Sequence, residues 1–319
     1  TTSEVLILPL DDPHATPQSI AGRVPGVEYS VEHAGDHFLV IHNRDHVGFA
    51  LARQELDARG SAAQDTWHEV LAPKAGERIE DVDAFATHAA ITMRANGLPT
   101  VRVLPRSTQL SHQPGPNAYA SLESRVRGNA PAPGELHGQS SGKGAILDRL
   151  PEGQCGWDRT ATWDISHGGE LDAVYMSHNR DWEQESIWYT LESMLTPTTI
   201  AEVAPSGGKP RVLKVTHVPN FDPNNYVEKR LWATATDGTK VPISLVARAD
   251  ATPDSTNPGF LYGYGSYEIP SDPGLVVSWL SLLDRGVVVA VAHVRGGGEM
   301  GREWYDDGKM LHKKNTFMD

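Results

Sequence analysis

A helical pattern followed directly by a buried-strand pattern constrains the fold of this 319-residue chain more than any other feature. Residues 287–292 form an unbroken apolar run rich in β-branched side chains, which is typical of a strand buried on both faces of a parallel sheet. Upstream, apolar side chains recur at helical spacing over residues 275–283. Asp272 is the predicted N-cap, with Pro273 at the first helical position and Gly286 after the helix. The pattern predicts an α/β domain.

Three more strands are predicted before this helix. Residues 231–235 and 241–246 flank Asp237-Gly238, a dipeptide that favours a tight β-hairpin. Residues 259–262 form a further apolar strand. The pattern therefore changes to that of an α/β domain beyond about residue 228.

The preceding residues predict short strands separated by turns. Residues 27–32 alternate apolar and polar side chains with period two, residues 38–41 form a second strand, and Asn96-Gly97 is a hairpin signal. Many short strands at this spacing indicate a sandwich, a barrel or a propeller. Because a propeller blade takes roughly 40–50 residues, the region up to about residue 220 would hold four or five blades. No clear internal repeat accompanies them.

Residues 113–154 are rich in glycine and proline and predict a long loop or insertion. They contain a G-x-S-x-G match at residues 138–142. A nucleophile elbow requires a strand before the serine and a helix after it, and neither is predicted here. Ser140 is therefore interpreted as a loop residue.

Two further motifs are weighed and set aside. Residues 296–301 match G-x-G-x-x-G, but the residues that follow lack the small apolar helix face of a dinucleotide site. His33, His37, His42 and His46 are clustered, yet their placement on two strands and a loop favours a solvated strand face over a metal site. No metal and no cofactor are expected.

Charge and cysteine content limit the possible partners. Lys and Arg number 28 against 41 Asp and Glu, and the net charge of −13 argues against nucleic acid and fits cationic partners. The single cysteine, Cys155, excludes an internal disulfide and favours a reducing, cytoplasmic location. No apolar stretch reaches the ~18 residues of a membrane span, and no secretory leader opens the chain. Both ends, Thr1 and Asp319, look cut.

Five short motifs carry a resemblance to a known family. They are YGYGSY at 262–267, LLDRG at 282–286, HVRGGGE at 293–299, WYDDGK at 304–309 and KKNTF at 313–317. In this order they resemble the prolyl oligopeptidase family, and within it the oligopeptidase B type. The resemblance is dense over residues 225–319 and extends more thinly back to the first residues.

The resemblance implies two domains. The family joins a seven-bladed β-propeller to an α/β-hydrolase domain that bears a Ser-Asp-His triad. Residues 1–225 would then be an incomplete N-terminal propeller with the insertion near 113–154. Residues 226–319 would be the start of the α/β-hydrolase peptidase domain, ending before the nucleophile.

The resemblance also assigns site residues. Tyr264 matches a tyrosine whose phenol helps to form the oxyanion hole, where a neutral hydroxyl donates to the developing negative charge; the alternative is a packed aromatic. Tyr267 matches an aromatic at the substrate pocket. Asp272 matches the first of two aspartates that bind Lys or Arg side chains, with the helix N-cap as its alternative role. Gly274 replaces the second aspartate, and Glu268 replaces a usual glycine.

The expected function is that of a serine endopeptidase that cleaves short basic peptides after Lys or Arg. One alternative is a non-catalytic propeller that binds a partner. Another is a relative that prefers proline or acts as an aminopeptidase.

The 319-residue chain by itself is predicted not to hydrolyse peptides and to aggregate or remain partly molten, because the hydrolase sheet would lack its remaining cover. Turnover of an arginyl ester by the purified chain, retained in the S140A variant, would contradict the first expectation. A sharp cooperative melt of a soluble monomer would contradict the second.

Overall fold

The computed structural model describes residues 2–8, 14–56, 67–107, 156–252 and 256–319. The predicted insertion at 113–154, with Ser140, and Cys155 lie outside these residues. Within them, three four-stranded antiparallel sheets follow one another along the chain and precede a mixed sheet.

The first sheet and a short strand pair occupy the amino-terminal part. The pair is β1 (Leu6–Ile7) and β2 (Gln18–Ser19). The sheet contains β3 (Tyr29–His33), β4 (His37–His42), β5 (Ala50–Glu55) and β6 (His68–Leu71), paired in chain order.

The second and third sheets repeat this meander. The second contains β7 (Glu77–Ala84), β8 (His88–Ala95), β9 (Leu98–Pro105) and β10 (Trp163–Asp164). The third contains β11 (Ala173–Met176), β12 (Ile187–Glu192), β13 (Thr199–Val203) and β14 (Arg211–Val215). Successive antiparallel meanders are the architecture of propeller blades. Where four or five blades were expected before residue 220, the described residues form three four-stranded sheets and one strand pair.

Apolar side chains between successive sheets form the core. One buried cluster joins the first two sheets, with Leu39 and Leu51 packed with Ile91 and Met93. A second cluster joins the second and third sheets, where Val101 and Val103 pack with Ile187 and Tyr189. Each sheet therefore buries apolar residues on both faces, as stacked blades do.

The remaining residues form the predicted α/β unit. Its sheet contains β15 (Tyr226–Thr234), β16 (Lys240–Arg248), β17 (Gly259–Tyr262) and β18 (Val288–Ala292), in the order β15-β16-β18-β17. Three short helices accompany it: α1 (Val277–Leu283), α2 (Arg302–Asp306) and α3 (Lys314–Met318). The β17 and β18 strands are parallel and are joined through α1. The longest of these helices has seven residues, and no helix in the described ranges has the length and apolar content of a membrane span.

The strand predicted at residues 287–292 is present as β18, but the prediction that both of its faces are buried is wrong. Val289 and Val291 are buried against α1, whereas Val288, Ala290 and Ala292 on the other face are partly exposed. The strand lies between β16 and β17, as an interior strand should.

The predicted histidine surface is wrong for two of its members. The β4 strand is buried along its whole length, so His37 and His42 are fully covered. His37 accepts a hydrogen bond from the Trp157 indole at 3.1 Å through Nε2, and His42 packs on the Trp67 ring. Burial lowers the pKa of His42 to about 4, so this side chain is neutral at pH 7.

Substitution of Gly97 by alanine is expected to lower the melting temperature of the complete protein. Asn96 and Gly97 have φ values of 52° and 81° and form the predicted hairpin turn between β8 and β9. A Cβ at Gly97 would lie 2.8 Å from Arg230 and 2.9 Å from Met300, both in the α/β unit. Strained backbone and crowding therefore act together at this position.

G238A is the matched control, measured by differential scanning calorimetry. Gly238 has a φ of 90° in the other hairpin, and a Cβ there meets nothing within 4 Å. It should lose only the cost of a left-handed alanine, roughly 1 kcal/mol. Equal losses for the two variants would show that the hairpin contact contributes nothing.

Candidate functional site

A cleft opens at the carboxyl end of β17, beside α1. It has a volume of about 510 Å³ and is lined mainly by aromatic and apolar groups. The lining residues are Tyr262, Tyr264, Ile269, Pro270, Ser271, Asp272, Val276, Trp279 and Val291. Asp272 is the only charged residue among them. Ligand sites in open α/β sheets lie outside the carboxyl ends of the strands, so this position suits a substrate.

Tyr264 faces this cleft from a firmly held loop. Its side chain is 43% exposed. The next residue, Gly265, has a φ of 62°, and a Cβ there would lie 2.6 Å from both Val294 and Thr316. The Lys313 ammonium donates to the Gly265 carbonyl and, at 2.6 Å, to the Ser266 hydroxyl. The loop backbone beneath the phenol is thereby fixed, which suits a group that must donate in one direction.

Asp272 also lines this cleft, but it does not cap the α1 helix as the sequence predicted. The α1 helix begins at Val277, its N-cap is Val276, and no side chain caps it. The Asp272 carboxylate instead accepts two hydrogen bonds from Arg94 on β8, at 2.8 and 2.7 Å. The N-cap prediction is therefore wrong, because a guanidinium 178 residues away in sequence takes the carboxylate.

Arg94 is the buried centre of a small charge network. Its side chain is 4% exposed. Beyond the fork to Asp272, its Nε donates to Glu80 at 3.0 Å. Burial acts against the charged guanidinium, but the hydrogen bonds and charges of Asp272 and Glu80 outweigh it and raise the pKa of Arg94. A charged Arg94 thus connects the second sheet to the cleft.

Tyr267 does not share the cleft with Tyr264 and Asp272. Its side chain is 77% exposed and does not line the cleft. Tyr267 and Glu268 both have left-handed backbone, with φ values of 58° and 62°. Glu268, which replaces a usual glycine of the family, forms ion pairs with Arg302 at 3.0 Å and with Arg78 on β7. The structure therefore places two of the three predicted site residues in one cleft and the third outside it.

A chain of buried polar side chains supports the cleft from behind, and the sequence patterns did not single it out. The Glu299 carboxylate is 1% exposed and accepts a hydrogen bond from the Ser271 amide at 2.8 Å. His293 lies 3.7 Å from Glu299 and hydrogen-bonds Ser244 at 2.8 Å. Arg230 donates to the Ser244 hydroxyl at 3.0 Å, and burial lowers the pKa of Arg230 to about 10.

This cluster has the composition of a Ser-His-carboxylate triad but not its accessibility. Ser244 and His293 are fully buried, so the Ser244 hydroxyl cannot meet a peptide. Within this cluster, it is Glu299 that contacts the segment beside Asp272, by accepting the hydrogen bond from the Ser271 amide. The separation of 49 residues between Ser244 and His293 explains why no short motif revealed the pair.

Gly296, the first glycine of the G-x-G-x-x-G match, is closely packed. A Cβ at Gly296 would fall far inside van der Waals contact of the Gly265 carbonyl. Arg295 beside it donates to Asp319 at 2.9 Å and forms an ion pair with Asp237 at 2.8 Å. The helix that follows, α2, has only five residues.

Comparison with known proteins agrees with this architecture. The family model of the prolyl oligopeptidase N-terminal β-propeller domain matches residues 1–216, and the prolyl oligopeptidase family model matches residues 276–319. Dipeptidyl aminopeptidase BI of Pseudoxanthomonas mexicana is 32% identical over 94% of this chain. Protease 2 of Moraxella lacunata is 30% identical over the whole chain.

A solved structure is similar as well. Oligopeptidase B from Trypanosoma brucei, in its closed form with covalently bound antipain, covers 99% of this chain with a TM-score of 0.77 and 30% identity. The chain spans only 34% and 38% of the two curated relatives and 39% of this structure. An incomplete β-propeller followed by the start of an α/β-hydrolase domain accounts for both the fold and these spans. Because the propeller model alone matches more than half of its residues, the chain belongs to the prolyl oligopeptidase family.

Proposed function

We propose that this chain is part of a serine endopeptidase that cleaves short peptides after Lys or Arg. The observation that carries the proposal is the cleft in which a phenol, Tyr264, and a carboxylate, Asp272, line one cavity at the end of β17. The phenol suits stabilisation of an oxyanion, and the carboxylate suits a basic side chain. Resemblance to oligopeptidase B and Protease 2 supports this assignment.

The proposed chemistry is acyl transfer through a serine. A Ser-Asp-His triad on the rest of the polypeptide would attack the scissile carbonyl, and Tyr264 would donate a hydrogen bond to the resulting oxyanion. Tyr267, which is exposed and does not line the cleft, would contact the substrate only if the peptide extends beyond the cleft. The partners are short basic peptides, and the single cysteine supports a cytoplasmic location.

Removing the Tyr264 hydroxyl is expected to slow the complete enzyme. Y264F keeps the ring and removes the donor, so kcat should fall roughly 10²–10³-fold with KM nearly unchanged. Steady-state kinetics on a blocked arginyl aminomethylcoumarin substrate measure both constants.

Y305F is the control for loss of a phenol. Tyr305 lies on α2 against Lys309 and outside the cleft, so its variant should keep the normal kcat. If Y264F retained full activity, the phenol would be a packing group and the oxyanion role would be lost.

Neutralising Asp272 is expected to reduce the preference for basic substrates. D272N preserves the shape of the side chain but leaves Arg94 without one carboxylate, so the cleft becomes more positive. The value of kcat/KM for arginyl substrates should fall about 10–100-fold, the range of a lost charge-assisted pair. Prolyl substrates should be unaffected.

E80Q is the matched control, because Glu80 is the other carboxylate on Arg94 and does not line the cleft. The assay should include blocked arginyl, blocked prolyl and unblocked dipeptidyl substrates. A complete wild-type enzyme that preferred prolyl or unblocked dipeptidyl substrates would replace this proposal with the corresponding alternative.

A further inference from the structure

The cleft's own carboxylate is already engaged. Both oxygens of Asp272 accept from Arg94, whose remaining Nε binds Glu80. A bidentate Arg–carboxylate pair uses the geometry that a substrate guanidinium would need. Asp272 alone therefore offers an incoming cation little unmatched charge. If the proposed basic preference is correct, a second carboxylate near the cleft must contribute.

Glu192 is a second carboxylate close to this part of the cleft. It is the last residue of β12, and the Thr198 hydroxyl donates to its Oε1 at 2.6 Å, which orients the group. Its other oxygen, Oε2, lies 3.4 Å from the position that a Cβ on Gly274 would take. Gly274 stands between Asp272 and Val276, both of which line the cleft. The Glu192 carboxylate thus lies beside the segment that carries Asp272 and Val276, although Glu192 is not itself among the residues that line the cleft.

The neighbouring strand ties Glu192 to Asp272. Tyr175 on β11 pairs with Thr190 on β12, so Tyr175 and Glu192 are diagonal neighbours on one face of the sheet. Tyr175 lies close enough to Asp272 for the two side chains to interact. Burial, and after it the charge of Asp272, raises the pKa of Tyr175, and Glu192 contributes in the same direction. The two carboxylates therefore act on one phenol.

Glu192 differs from Asp272 in its charge balance. Across the part of the chain that the structure describes, Asp272 pairs with Arg94, whereas Glu192 accepts from the neutral Thr198 hydroxyl and forms no ion pair. Its negative charge is therefore available. Because Gly274 has no side chain, a long basic side chain of the substrate has space to approach the Glu192 carboxylate.

We propose that Glu192 is the specificity-determining carboxylate for the basic side chain of the substrate, acting beside the Arg94-bound Asp272. This inference rests on the proposed function and identifies the carboxylate that recognises the positive charge of the substrate side chain. A guanidinium or ammonium at the rim of the cleft would pair with the Glu192 carboxylate, and Thr198 would hold that carboxylate in place.

The test measures charge selectivity in the complete enzyme. The readout is the ratio of kcat/KM for a blocked Arg-Arg aminomethylcoumarin substrate to that for its uncharged citrulline isostere. E192Q should lower this ratio about ten-fold, through KM for the charged substrate and with kcat nearly unchanged. E202Q is the control, since Glu202 is on the adjacent β13 strand and pairs with Arg211 at 2.7 Å.

A second variant separates charge from structure. Gly274 has no left-handed backbone and has room for a Cβ, so aspartate can be placed there. The double variant E192Q/G274D should regain most of the lost ratio, because it restores one negative charge at the same point. A purely structural role of Glu192 would not be rescued in this way.

The outcomes distinguish this inference from the proposed function. A wild-type ratio near one would overturn the basic preference itself. An E192Q ratio equal to wild type, with D272N still lowering it, would overturn only the role of Glu192. A loss in E192Q without recovery in the double variant would likewise overturn it. A loss in E192Q, no loss in E202Q and recovery in the double variant would support it.

Discussion

The apolar layer between the third sheet and the mixed sheet holds the candidate site together. Leu171 and Met194 from the propeller side pack with Tyr226, Leu283 and Val289 from the α/β unit in one buried cluster. Because this layer is continuous, the loop after β17 sits against sheets that are remote from it in sequence. Every polar contact at the cleft depends on that alignment, since Arg94 and Tyr175 must reach Asp272 from two different sheets.

Arginine makes most of the polar connections across this junction. Arg94 forks onto Asp272, Arg302 on α2 pairs with Glu28 at 2.7 Å, and Arg230 donates to the Asn96 carbonyl at 3.3 Å. In a chain with 13 more acidic than basic residues, two of these three guanidiniums, those of Arg94 and Arg302, are matched by carboxylates from the opposite side. The planar fork satisfies two acceptors at once and so tolerates burial better than an ammonium group.

Local sequence patterns predicted the strands and turns, but they did not predict the contacts between the propeller sheets and the mixed sheet. Asn96-Gly97, Asp237-Gly238 and the apolar run at 287–292 all lie where the sequence predicted them, since turn chemistry and strand periodicity act over a few residues. Asp272 was misassigned as an N-cap because the capping signal is local, whereas Arg94 belongs to another sheet. Periodicity also missed the burial of His37 and His42, because a strand covered on both faces does not alternate.

The residues of the candidate site were likewise predicted only in part from the sequence. Tyr264 and Asp272 were predicted from the resemblance, and both line the cleft, while their catalytic and binding roles stay predictions. Tyr267 came from the same motif, but it is exposed and does not line the cleft. The supporting chain through Ser244, His293 and Glu299 could not be predicted, because its members meet only when β16 and β18 pair.

The left-handed backbone at Tyr267 and Glu268 is stabilised by side chains from both domains. Each such residue costs roughly 1–2 kcal/mol relative to ordinary backbone, and the ion pairs of Glu268 with Arg78 and Arg302 help to offset that cost. Arg78 lies on β7 of the propeller, so the left-handed backbone at Glu268 is stabilised partly from outside its own domain. Loss of Arg78 would remove one of the two guanidinium partners of Glu268 and leave the strained turn less well compensated.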